Sequence, residues 1–188
     1  MTPFSRELLA FWFGPPPHAA RAEWFKKDPA FDATIRARFA NAIEAALAGA
    51  TPPRDGDVFD ALAHVVLLDQ LTRNAFRDTP RAFAGDLLAL ATAIAAVDAG
   101  RDALLDRFER RFLYLPFEHA EDLAMQERAI ALFRRLADET GEPGQLEWAE
   151  KHAAIIRRFG RYPHRNAILG RASTPEEIAF LERPGSRF

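Results

Sequence analysis

Three stretches of the sequence gather side chains that could bind a ligand or move a proton. In Leu68-Asp69-Gln70-Leu71-Thr72-Arg73-Asn74, Asp69 and Arg73 stand four residues apart, as do Gln70 and Asn74, so each pair meets on one face of a helix. This stretch ends the most apolar segment of the chain, where buried polar groups demand partners. Two readings follow. Either Asp69 orients Arg73 while Asn74 satisfies loop carbonyls, or the set presents donors to a ligand. In Tyr114-Leu115-Pro116-Phe117-Glu118-His119-Ala120-Glu121-Asp122, three carboxylates and an imidazole crowd behind a proline. Glu118 and Asp122 could share general acid and base work, although carboxylates that open a helix are also expected from its dipole. The third stretch, Arg157-Arg158-Phe159-Gly160-Arg161-Tyr162-Pro163-His164-Arg165-Asn166, is basic with interleaved aromatics. That composition can hold nucleic acid. It can equally neutralise the acidic stretch behind Pro116, and internal pairing is the preferred reading.

Several chemistries are excluded at this level. There is no cysteine, hence no disulfide, thiol catalysis or thiolate metal site. Glu118, His119 and Asp122 offer oxygen and nitrogen ligands, but their spacing fits no zinc motif, and no metal or other cofactor is expected. No phosphate loop, dinucleotide fingerprint or nucleophile elbow is present. The formal charge is −2, from 25 basic and 27 acidic residues, which argues against a chain built to neutralise phosphates. Apolar runs fall short of a membrane span, and the opening run Leu8–Phe13 is too short for a signal core, so the expected compartment is the cytoplasm.

The elements that must position these residues are helical. Apolar residues recur at three-and-four spacing and strand-like alternation is absent. Ser5–Phe13 reads as a first helix capped by Ser5 and stopped at Gly14, followed by an extended connector at Pro15–Pro17 that leaves His18 exposed to solvent. Phe11-Trp12-Phe13 and Trp24-Phe25 read as core aromatics or a lid. Asp28-Pro29 starts a second helix with Asp32 and Arg36 paired on its wet face. Asp57 caps a helix apolar on nearly every side, which therefore belongs in the core, with His64 among apolar neighbours. Asp86 caps an Ala-rich helix closed by Gly100. A helix carrying Phe108 and Phe112 must kink or break at Pro116. Helices over about 121–139 and 145–159 follow, the second turning Trp148, His152 and Ile156 inward and ending at Gly160. Thr174-Pro175-Glu176-Glu177 combines a capping box with a proline in the first turn. The expectation is a single all-α domain over residues 1–188, a helical bundle or tetratricopeptide-like array of antiparallel helices with no sheet, its tail 184–188 loosely held.

The motifs Phe11-Trp12-Phe13-Gly14, Trp24-Phe25-Lys26-Lys27-Asp28-Pro29, Leu68-Asp69-Gln70 with Arg73-Asn74, Tyr114-Leu115-Pro116-Phe117-Glu118-His119 and His164-Arg165-Asn166 appear in this order. Together they resemble the uncharacterised bacterial domain of unknown function family 924, over nearly the whole chain. The resemblance implies an all-helical, tetratricopeptide-like architecture and no assigned reaction. Thr72, Ala75 and Ala120 depart from the family pattern, and Ala120 removes a hydroxyl from that position.

The leading expectation is a non-catalytic binding protein with an internal polar cleft for an anionic small molecule or a peptide end. Arg73, Asn74, His119, His164, Arg165 and Asn166 would contact it or shape the cleft, with Asp69, Glu118 and Asp122 fixing their orientation. A nucleophile with an adjacent base is not evident. The alternatives are a hydrolase with Glu118 or His119 as general base, with or without a metal, and an RNA-associated protein using Arg157–Asn166. Arg73 and Arg165 should lie within ion-pair reach of Asp69, Glu118, Glu121 or Asp122, because dry uncompensated carboxylates cost several kcal/mol.

Overall fold

Thr2, not Ser5, starts the first helix: its hydroxyl accepts the Ser5 N–H at 3.0 Å and Pro3 follows in the first turn, so α1 is Pro3–Phe13. A computed structural model describes residues 1–24 and 26–186. Phe25 of the aromatic group and the last two residues of the tail lie outside them. Further helices follow in order: α2 Pro29–Leu47, α3 Val58–Val65, a π-helical turn Val66–Leu71, α4 Thr72–Ala75, α5 Asp86–Asp98, α6 Arg107–His119, α7 Leu123–Thr140, α8 Gly144–Phe159 and α9 Pro175–Leu181. Short 3-10 turns join several of them, and there is no strand among the described residues.

The chain divides into two units. Unit 1 is Met1–Arg77 with Arg81–Pro116, and unit 2 is Asp78–Pro80 with Phe117–Phe188, so the division falls inside α6 at Pro116. The helix does not break there, as its sequence suggested, but runs on to His119. Proline removes the N–H that would bond the Phe112 carbonyl one turn earlier, while the last carbonyls of the helix need other donors as at any helix end.

Unit 1 is organised around aromatic rings. Trp12 and Phe112 are both fully buried and meet edge to face at 5.4 Å, with Phe13 and Trp24 also packed on Phe112. Large rings remove the most apolar area from water, and edge-to-face contact adds about 1 kcal/mol per pair. The N-terminal aromatics are core residues. Around them α3 packs on α1 and α5, and α2 packs on the π-turn and α4.

Two expectations for this unit change. Asp32 is 4% exposed rather than on a wet face. Asp86 lies in the first turn of α5, while Gly85 occupies the capping position without a side-chain cap. Gly85 is there for space: a Cβ on it would lie 2.4 Å from the carbonyl oxygen of Leu68 in the π-turn. That oxygen belongs to backbone and cannot swing aside. Gly85→Ala should therefore destabilise the protein by about 2 kcal/mol, read as a lower urea midpoint at unchanged slope. An unchanged midpoint would refute the close approach.

The stretch Pro80–Asp98 has the length and apolar composition of a membrane-crossing helix, contrary to the sequence expectation. It is a 3-10 turn over Pro80–Phe83 followed by the 13-residue α5, with Leu87 81% exposed. An unbroken 20-residue helix, the usual length for a span, does not form.

In unit 2, α7 packs along α8, and α9 packs against the 3-10 turn Pro163–Arg165. Ile155, Ile156 and Tyr162 form a core extended by Phe159 and Phe180. Trp148, expected inside, is 46% exposed. Gly160 ends α8 at φ 68°, the left-handed conformation in which glycine carries no side-chain penalty.

Candidate functional site

In unit 1 the first polar stretch is split by the π-turn into two closed networks. Asp69 is fully buried; its Oδ1 lies 3.0 Å from Arg73 Nη1, and its Oδ2 accepts the Gln70 amide at 2.5 Å. The same arginine donates to the Asp69 carbonyl at 2.6 Å and reaches Asp86 at 2.9 Å. Asn74 faces elsewhere and donates to Asp32 at 2.7 Å, beside the two-pronged grip of Arg77 at 2.8 and 2.9 Å. Burial alone would raise the Asp32 carboxyl, but Arg77 and Asn74 outweigh it and hold it below the usual range. The expected pairing of Asp69 with Arg73 is present, while Gln70 and Asn74 serve different carboxylates.

Unit 1 also carries an open groove of about 380 Å³ between the Thr51–Gly56 turn and α5, with Pro52, Pro53, Ala91, Ala95 and Arg101 on its walls. None of the candidate binding residues read from the sequence lines it.

Unit 2 gathers the rest around Tyr162. This fully buried phenol donates to the Glu118 carbonyl at 2.5 Å, with the Gln126 amide nitrogen 2.9 Å from its oxygen. Burial pushes its pKa up. The Arg165 guanidinium lies 4.5 Å over its ring, and Arg165 is only 7% exposed. The rings of His164 and His152 lie 5.5 and 5.7 Å from it. His152 comes from α8, where its Nδ1 lies 2.9 Å from the Trp148 carbonyl and 3.3 Å from Glu118 Oε1. Burial drives the His152 pKa down to about 3, and the charges of His119, Arg165 and His164 act in the same direction. Glu118, His119, His152, His164 and Arg165 thus form one polar group in unit 2.

Asp122 and Asn166 stand apart from that group. Asp122 is exposed and caps α7 through the Met125 N–H at 3.0 Å. Asn166 is fully buried and ties down its own loop, accepting from Arg171 at 3.0 Å and donating to Ser173 at 3.0 Å. The basic stretch pairs internally, but chiefly with α9: Arg158 holds Glu176 and Arg161 holds Glu177. Glu121 is gripped by Arg171 at 2.5 and 2.9 Å, and this outweighs burial to lower its pKa. Arg165 adds only its field there.

Gln126 went unnoticed in the sequence reading. Its amide donates to the carbonyls of Glu118 at 2.6 Å and Ala120 at 2.7 Å, supplying donors that the end of α6 lacks. A signal was present: Gln126 stands three and seven residues before Ala129 and Phe133, on the apolar stripe of α7. A polar residue on such a stripe marks a specific partner.

The model of a family described as bacterial protein of unknown function (DUF924) matches residues 8–185. A solved structure of a protein of unknown function from Agrobacterium tumefaciens is 41% identical, with a TM-score of 0.83 over 95% of this chain and 96% of that one. No curated protein matches. With its motifs in order and its all-helical fold shared with that relative, this chain belongs to the bacterial family of unknown function DUF924.

Proposed function

We propose that the protein is a non-catalytic binder of an anionic small molecule or a peptide carboxylate, held by the Tyr162 group of unit 2. The observation that carries this reading is Arg165, nine-tenths buried and stacked on Tyr162, with His164 and His119 close enough to act on the same imidazole. Guanidinium is the donor of choice for a carboxylate or phosphate, because its flat fork meets two oxygens at once. Glu118 and His152 would orient the donors from beneath. We read Asp69, Arg73 and Asn74 as groups that shape unit 1 around the π-turn. The pairing of α7 with α8 supports a tetratricopeptide-like arrangement of helices, and the weakly negative charge suits a cytoplasmic protein.

Glu118 beside His152 favours, as a second reading, a hydrolase in which the carboxylate orients an imidazole base. A general base works best with a pKa near the operating pH, and a histidine held near 3 is a weak one. Binding is therefore the stronger reading. RNA association is weaker still, because Arg158 and Arg161 are already engaged by Glu176 and Glu177.

Thermal melts with millimolar inorganic phosphate, and with one peptide as free acid and as C-terminal amide, test the proposal. At ten times Kd a ligand contributes about 1.4 kcal/mol, or roughly 3 °C for a chain of this size. We expect a rise with phosphate or the free acid, none with the amide, and loss of that rise in His164→Ala and Arg165→Lys. No rise with any probe, or a rise that both variants keep, overturns the site.

A further inference from the structure

His18, Asp106 and Glu109 come together in unit 1, although the first two stand 88 residues apart in sequence. The histidine is not in open solvent as its place after the prolines suggested. Its side chain is 13% exposed, and its ring lies 5.2 Å from Phe13 at an interplanar angle of 31°. Its Nδ1 is 2.6 Å from Asp106 Oδ2 and 4.0 Å from Glu109 Oε1.

The two carboxylates are held by the start of α6. Asp106 Oδ1 accepts the N–H groups of Phe108 at 2.8 Å and Glu109 at 3.0 Å, and Glu109 Oε2 accepts the Asp106 N–H at 2.9 Å. Each carboxylate thereby commits one oxygen to backbone and turns the other toward His18. This is how outer hydrogen bonds orient metal ligands. The second oxygen of Glu109 is the informative atom. Its side chain is nine-tenths buried, and no hydrogen bond among the described residues reaches Oε1; His18 at 4.0 Å is its nearest ion-pair partner. A reciprocal helix cap accounts for the inner oxygens, and the outer oxygen of Glu109, in a side chain 10% exposed, faces an imidazole and a second carboxylate.

We propose that His18, Asp106 and Glu109 bind a divalent transition-metal ion of the zinc class. His18 Nδ1, Asp106 Oδ2 and Glu109 Oε1 all lie within 4.8 Å of one another, close to the span of three ligands around one ion. Nitrogen and oxygen ligands sit about 2.0–2.2 Å from zinc and so roughly 3.4 Å from each other, which requires the His18–Asp106 hydrogen bond to open and Glu109 Oε1 to draw in, each by about an ångström or less. The imidazole favours zinc and its transition-metal neighbours over magnesium, calcium and manganese, which prefer oxygen ligands. Asp106 is 42% exposed, which leaves the outer side of the ion open to water, as in sites with three protein ligands and a free position. On binding, the imidazole switches tautomer: the Nδ1 proton held against Asp106 is exchanged through solvent for one on Nε2, so that a neutral ring offers its Nδ1 lone pair to the ion. The site is independent of the Tyr162 group in unit 2.

Isothermal titration of the whole, tag-free chain with Zn²⁺ after chelator treatment and dialysis tests this, with Co²⁺ absorption as the second readout. The expected result is one site, with affinity falling at least tenfold in His18→Ala and in Glu109→Gln. Glutamine keeps a carbonyl oxygen for the Asp106 N–H and so preserves the cap while removing the anionic ligand. Unchanged binding in both variants assigns the metal to other histidines and overturns the proposal, as does an absence of binding in the submillimolar range. Loss in His18→Ala with full retention in Glu109→Gln overturns the three-ligand site.

Discussion

Lowering the pH from 6.5 toward 3 should remove up to about 5 kcal/mol of stability through His152 alone. Its folded pKa is about 3 against an ordinary 6.5, and burial is the main cause. Below pH 6.5 the unfolded chain takes up a proton that the native imidazole refuses. The unfolded state then binds more protons, so stability falls with every unit of acid at about 1.4 kcal/mol until the native ring titrates as well. His64 acts in the same direction. It is lowered by burial, and it donates to Thr92, whose own hydroxyl is committed to the Leu88 carbonyl. Glu109 works the other way, because burial raises its pKa. The carboxylates of Asp60 and Glu177, held near 2, enter only at lower pH. Urea midpoints between pH 7 and 4.5 should therefore fall steeply in the native chain and less steeply in His152→Gln. The same slope in both chains, or a histidine resonance titrating near 6.5 and absent from His152→Gln, would refute a neutral buried ring.

Replacing Glu177 with alanine should cost about 3 kcal/mol and release α9 from the rest of unit 2. Glu177 is 2% exposed, takes Arg161 on both oxygens at 2.7 and 2.8 Å, and completes the capping box through the Thr174 N–H at 2.7 Å. Asn166 adds a fourth donor at 3.3 Å. Removing the carboxylate strands these donors together, so the loss exceeds that of an exposed pair such as Arg158 with Glu176. Arg161 hydrogen bonding brings the Glu177 pKa down to about 2 from 4.5. Its contribution is complete above pH 4.5 and disappears as the pH falls through 2. Glu176→Ala serves as the exposed control, with an expected change below about 1 kcal/mol. Equal midpoints for the two variants would show that the buried carboxylate adds nothing.

What the sequence determined by itself was local. Asp28, Asp57 and Thr174 cap the helices they were expected to cap, and the αL positions of Gly100 and Gly160 follow from their place behind apolar stripes. These features need only neighbours within a turn, so spacing reveals them. The Asp69–Arg73 pair was legible for the same reason. Tertiary structure decided everything that depended on a distant partner. Asp32 is buried because Asn74 and Arg77 come to it, not because Arg36 stands four residues on. Arg171 takes Glu121 across 50 residues, and Gln126 donates to the end of α6 from the next helix. The candidate site shows the same division. The sequence supplied Glu118, His119, His164 and Arg165 in two separate motifs, and packing brought His152 and Tyr162 among them. The His18 cluster was wholly hidden, since its histidine and carboxylates lie on segments 88 residues apart. Caps and stripes follow from the 3.6-residue repeat of one helix, whereas charge partners are chosen by which buried groups the packed chain leaves to be satisfied.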